Sequence, residues 1–205
     1  WIKIMTANAY RRADCRLCQG KNVELIVKLA PVPLAEKYSA NRDTAKAVEK
    51  FSIDLYMCLD CGHVQLLDVI DSSILWNDYT YYSGQTQGIV DHFNEVAEKL
   101  IKTYKPAAGS LVIDVGSNDG SLLRPFKEAG YRVLGIDPVK EIAEQATNAG
   151  ILTLPEFMTK EVAAEIVKEY GSASIITAFN VFAHADDLGA MADSIRQMLA
   201  PDGIF

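Results

Sequence analysis

The chain has 205 residues, 49% of them hydrophobic, which is enough for one medium domain or two small ones with a real core. Twenty basic and 27 acidic side chains leave a formal net charge of −7. The chain as a whole therefore has no pull on nucleic acid or anionic membrane, and Arg11-Arg12 makes only one short basic pair. No apolar run reaches the length of a membrane span, and no charged start precedes an apolar stretch at the N-terminus. A soluble, cytoplasmic protein with no nucleic-acid or membrane partner is expected by elimination.

In chain order, Trp1 comes first and Met5 is read as the natural start. Residues 1–75 hold all four cysteines and short alternating runs. Val23 to Leu29 reads as a strand. From Phe51 to Met57 the apolar residues fall at every second position, the period of a half-buried strand. Pro31 and Pro33 break the chain between them. Residues 76–88, with Asp78-Tyr-Thr-Tyr-Tyr-Ser-Gly-Gln85, have no period and read as a junction loop.

From residue 89 the texture changes. Ile89, Phe93, Val96, Leu100 and Tyr104 fall at helical spacing. Strands are expected at Leu111–Val115, Arg132–Ile136, weakly at Ile151–Leu154, at Ser174–Ala178, and at Ile204, where the chain stops one residue later. Helices are expected between them, marked by Leu122, Leu123 and Phe126, by Ile142 and Ala146, by Val162, Ile166 and Val167, and by Leu188, Met191, Ile195 and Leu199. Strands alternating with helices predict an α/β domain over 89–205, a parallel, doubly wound sheet of the Rossmann-like kind that is incomplete at its end.

Cys15-x-x-Cys18 and Cys58-x-x-Cys61 use every cysteine in the chain. A two-residue gap lets both thiolates of a turn face one ion, and two such knuckles close a tetrahedral, structural Zn²⁺ site. Gly20 and Gly62 follow the pairs, where a tight turn needs permissive backbone. Disulfides compete as a reading but are disfavoured in a reducing cytoplasm. His63 is expected to be a bystander.

Asp114-Val-Gly116-Ser117-Asn118-Asp-Gly120 follows a strand and opens a helix, as does the first turn of a doubly wound nucleotide fold. The glycine spacing is not G-x-G-x-x-G. The acidic and amide groups would repel a pyrophosphate and suit an ammonium and a sulfonium, the charges of S-adenosylmethionine. Asp137, followed by Pro138, ends the second strand about 20 residues on, where a carboxylate can accept both ribose hydroxyls. After the fourth strand come Phe179-Asn180 and His184. A His at that end of the sheet acts as a base or donor, or else merely caps the next helix.

The paired knuckles, Leu34-Ala-Glu36, Cys61-Gly-His-Val-Gln-Leu66, Tyr79 to Ser83 and Asp114 to Gly120, in this order, resemble the zinc-containing sugar C-methyltransferases. That family methylates nucleotide-linked deoxyketosugars. The resemblance implies S-adenosylmethionine and Zn²⁺ as cofactors and a nucleotide-linked 4-keto-deoxysugar as substrate, methylated through an enolate. It implies that Tyr81 reaches the active site, that Asn180 and His184 belong to the segment after the fourth strand, and that Asp137 is the ribose acid. The family continues into a C-terminal domain that helps form the base, so this chain is expected to bind cofactor better than it turns over sugar. An NAD-linked oxidoreductase and a non-catalytic zinc-ribbon interaction module are the competing functions.

Overall fold

The structure is a computed structural model that describes residues 9–36, 38–76 and 79–205. The expected start at Met5 lies outside the described residues. The chain divides into two compact units, 1–81 and 82–205. No helix among the described residues is long and apolar enough to cross a membrane.

The first unit holds β1 (Ala9–Arg11), β2 (Val23–Val27), α1 (Arg42–Lys46), β3 (Leu55–Cys58), β4 (Val64–Gln65), β5 (Asp68–Ile70) and α2 (Ser72–Trp76). Strands β2-β3-β4 form an antiparallel sheet, and β1 pairs with β5. The strand expected over 51–57 is shorter at its start. Phe51 makes only an isolated bridge to Val32, and pairing begins at Leu55. Between them Asp54 turns its carboxylate to the Leu29 amide, 2.8 Å away, so the alternation there serves a loop contact.

The basic pair is split and neutralised. Arg11 bonds Asp68 at 2.7 Å and the Tyr56 hydroxyl, and Arg12 pairs with Asp14 at 2.8 Å. Burial is scarce: among the described residues of this unit only Cys15, Cys58, Gln65 and Leu67 are buried.

The second unit opens with a 3-10 turn at Ser83–Gln85 and α3 (Gln87–Tyr104). The junction is thus partly helical, and α3 starts two residues before Ile89. Then follow β6 (Leu111–Val115), α4 (Leu123–Glu128), β7 (Arg132–Ile136), α5 (Lys140–Asn148), β8 (Thr153–Leu154), α6 (Lys160–Tyr170), β9 (Ala173–Thr177), α7 (Leu188–Met198) and β10 (Leu199–Ile204). The five strands are parallel, in the order β10-β9-β6-β7-β8. Order 5-4-1-2-3 is a doubly wound sheet with its switch point beside β6, where such folds bind ligands.

Every residue of β6 is buried, as a central parallel strand requires. Leu111, Ile113 and Val115 pack on one face with Ala163 and Ile166 of α6 and Met191, Ile195 and Met198 of α7. Val112 faces the other way, with Ala97 of α3 and Leu123 and Phe126 of α4. The period of two in the sequence thus sends alternate residues into two separate cores.

Candidate functional site

In the first unit the four cysteines converge. Their Sγ atoms all lie within 4.8 Å of one another. Cys15 Sγ is 3.7 Å from Cys61 Sγ, and Cys18 Sγ is 3.6 Å from Cys58 Sγ. A tetrahedron with Zn–S bonds of about 2.3 Å has S···S edges of about 3.8 Å. A disulfide needs about 2.05 Å, so all four are thiols rather than two bridges.

Backbone geometry supports the knuckles. Gln19 and Gly62 take the left-handed conformation at the turns, Gln19 donates its N–H to Cys15 O, and Gly62 donates to Cys58 O, each at 2.8 Å. Burial raises the Cys15 thiol pKa, but the amides of Cys18 and Leu17 and the neighbouring thiols outweigh it and bring it down to about 7. His63 contributes its backbone: its carbonyl accepts the Cys58 amide at 2.9 Å, and its amide bonds the Cys61 thiol. Gln65 supports this site in a way that spacing does not reveal. It is buried, accepts the Arg16 N–H at 3.0 Å and donates to Asp14 O at 3.1 Å, tying the first knuckle to β4.

In the second unit the residues expected around a cofactor gather at the carboxyl ends of β6, β7 and β9. Asp114 and Asp137 end neighbouring strands, Asp114 paired in register with Gly135. Both are buried. Burial pushes Asp114 up to about 7, against a 2.6 Å hydrogen bond donated by Thr177, and Asp137 repels it further. Burial also raises Asp137, against two backbone hydrogen bonds, with Asp119 adding repulsion. Asp137 Oδ2 accepts the Asn118 N–H at 2.8 Å and Oδ1 accepts the Val139 N–H at 3.0 Å. Each carboxylate oxygen keeps a further lone pair for a ligand hydroxyl. The charge effects on this pair are repulsive, so the site fits a cationic ligand that relieves them.

Other expected contacts have different neighbours. Gly116 and Gly120 have φ of +71° and +77°, which favours glycine. The space where each Cβ would stand is filled by protein: 2.2 Å from Val181 Cγ2 at Gly116, and 2.7 Å from Ile151 Cγ2 at Gly120. Their lack of a side chain serves packing. Ser117 is buried with its hydroxyl unpartnered, packed over Gly135, whose added Cβ would lie 2.4 Å from that oxygen. Asn118 turns its side chain to the Ser83 amide. Pro138 is half-buried behind Asp137.

After β9, Asn180 is exposed with a left-handed φ of 55°, a conformation that costs energy in a residue with a Cβ. His184 is exposed at the end of a 3-10 turn, Phe182–His184. The next helix, α7, is capped by Asp187, whose carboxylate accepts the Ala190 amide at 2.8 Å. Tyr81, in the first unit, is 37% exposed and packs edge-on against Tyr79 at 6.4 Å.

Thr177 was not singled out from the sequence. Its only signal is a hydroxyl at the buried end of β9. A cavity of about 510 Å³ opens elsewhere, lined by Tyr82, Gly84, Arg124, Glu128 and Gln145 among others, and neither Asp137, Asn180 nor His184 borders it.

Comparison with known proteins fits this geometry. Residues 15–76 match a family described as "Putative zinc binding domain", and residues 90–205 match one described as "Methyltransferase domain". The C-methyltransferase NovU of Streptomyces niveus is 31% identical over 192 residues, covering 94% of this chain and 46% of that protein. A ubiquinone biosynthesis O-methyltransferase of Rhodopseudomonas palustris (strain BisA53) is 31% identical over 105 residues, covering 51% of this chain and 41% of the relative. Among solved structures, magnesium protoporphyrin IX methyltransferase of Synechocystis PCC 6803 aligns at 18% identity over 55% of each chain, with a TM-score of 0.44. The chain spans less than half the length of these curated relatives.

Proposed function

Because the chain belongs to the methyltransferase-domain family, with a zinc-binding domain ahead of it, we propose that it binds S-adenosylmethionine at the carboxyl ends of β6, β7 and β9. We further infer that the protein methylates carbon on a nucleotide-linked 4-keto-deoxysugar. The observation that carries the cofactor reading is the pair of buried carboxyls Asp114 and Asp137 at the switch point of the sheet, each raised by burial and by repulsion from a neighbouring acid. An anionic ligand such as a pyrophosphate would worsen that repulsion; a sulfonium and an ammonium relieve it.

When bound, S-adenosylmethionine supplies an activated methyl group that leaves behind a neutral thioether. The protein's share is positioning and charge stabilisation. Asp137 accepts ribose hydroxyls on its remaining lone pairs while its backbone bonds hold it rigid. Asp114, Gly116, Ser117, Asn118 and Gly120 shape the turn beside the amino-acid end, Pro138 backs Asp137, and Asn180 faces the ligand from after β9. Cys15, Cys18, Cys58 and Cys61 hold one Zn²⁺ with no open position, which makes the metal structural. Four thiols in this state fit a reducing, cytoplasmic setting.

The acceptor carbon needs its own activation. A 4-keto group acidifies the C3 hydrogen of the sugar, and a base that removes it leaves an enolate. Supporting this reading is the similarity to a C-methyltransferase. An exposed imidazole just past β9 is suited to moving that proton.

The test uses protein of the relatives' full length. In deuterium oxide, with the ketosugar but no methyl donor, C3 should exchange hydrogen for deuterium. Adding labelled S-adenosylmethionine should then place the label on C3. Label appearing on an oxygen, with no C3 exchange, would overturn the enolate reading.

A further inference from the structure

The turn Ser83–Gln85 is capped from far along the chain. Its own N-cap, Tyr82, makes no side-chain hydrogen bond to it. Its first amides therefore need acceptors from elsewhere. Asn118 Oδ1 accepts the Ser83 N–H at 2.9 Å, and Asp119 Oδ2 accepts the Gly84 N–H at 2.7 Å. The second oxygen of Asp119 accepts the amide and hydroxyl of Ser121, at 3.1 and 2.6 Å, which fixes its rotamer.

Gly84 makes the approach possible. A Cβ there would lie 2.8 Å from Asp119 Oδ2 and 3.0 Å from Ser121 Oγ. Asn118 is itself held from two sides. Its backbone is left-handed, with φ of 50°, it is buried, and its N–H goes to Asp137 Oδ2. Asp137, Asn118 and Ser83 thus form one hydrogen-bonded relay, and Asp119 adds a parallel, charge-assisted link.

We propose that Asn118 and Asp119 are positioning residues that fasten the Ser83–Gln85 turn to the cofactor loop, so that filling the loop and closing the turn are one event. The inference rests on the reading that Asp137 and this loop hold S-adenosylmethionine. A ligand hydroxyl on Asp137 restrains the carboxylate that already holds the Asn118 amide. The turn then has less freedom left to lose on closing, and closing in return tightens the ligand.

The experiment is amide hydrogen exchange on the chain, followed in peptides spanning 82–86, with and without S-adenosylhomocysteine, alongside calorimetric binding of the same ligand. A hydrogen bond to a charged group is worth about tenfold to a hundredfold in such an opening equilibrium. Asp119→Ala should speed exchange at 82–86 by about that factor while peptides over β6 and β7 keep their protection, which shows that the fold persists. Asp119→Asn, which keeps one acceptor oxygen, should fall between. The homocysteine product should slow exchange at 82–86 in the wild type and much less in Asp119→Ala, whose affinity should also drop.

Exchange at 82–86 that ignores Asp119→Ala overturns the latch. Exchange that responds to Asp119→Ala, but not to a ligand that calorimetry shows to be bound, overturns the coupling and leaves the cofactor reading standing. No ligand binding by the wild type overturns both.

Discussion

Removing the metal should unfold the first unit. Cys15 and Cys58 are two of the three buried apolar side chains among its described residues, so the ligands are most of the core. Among the described residues, the sheet β2-β3-β4 has no second layer of buried side chains to hold it once the metal is gone. Structural zinc contributes an apparent binding energy of about 10–16 kcal/mol, far more than burial of Leu67 alone can replace. Metal analysis should give one zinc per chain in reduced protein. Chelation, or Cys58→Ser, should abolish amide protection at Leu55–Cys58 and Val64–Gln65. Zinc-free, reduced protein with the same protection would contradict the assignment.

Asp114→Asn should make the second unit more stable at alkaline pH. The folded-state pKa of Asp114 is raised from 3.8 to about 7, first by burial. A carboxyl raised in this way contributes its stability below the unfolded value, near pH 3.8, and loses it as pH rises through about 7. The span corresponds to about 4 kcal/mol at 1.36 kcal/mol per pH unit. An amide keeps the Thr177 hydrogen bond through its oxygen and never ionises.

Denaturant unfolding of wild type and variant should therefore coincide near pH 4 and diverge steadily, with the variant ahead by about 4 kcal/mol above pH 7. Equal stability at pH 8 would show that the buried carboxylate carries no such cost. Natural sequences retain a destabilising group where function needs it. A bound cation returns the cost by favouring the ionised form, so ligand binding below pH 7 should release protons.

The parallel sheet was legible because its strands are buried on both faces and read as apolar runs: Leu111–Val115, Arg132–Ile136 and Ser174 to Thr177. The cysteine site was legible because a knuckle is local, with each pair's spacing setting its geometry. Long-range side-chain partnerships were hidden. Nothing near Asn118 or Asp119 in sequence announces that their oxygens cap a turn 35 residues earlier. The glycines were legible as glycines but not by cause. A ligand and a packed neighbour impose the same demand for a missing Cβ, and Val181 and Ile151 supply the neighbour. The alternation at 51–57 misled for a related reason, since the Asp54 contact to Leu29 breaks the pairing that a period of two implies.

The most direct test of the account is calorimetric titration of this chain with S-adenosylhomocysteine, in the wild type and in Asp137→Ala, with NAD as the control ligand. Hydrogen bonds to a charged acceptor contribute about 1.5–3 kcal/mol, so the variant should bind roughly ten- to a hundredfold more weakly, and NAD should not bind either protein. An unchanged dissociation constant in Asp137→Ala, or NAD binding in place of the homocysteine product, would contradict a methyl-donor site at the ends of β6 and β7.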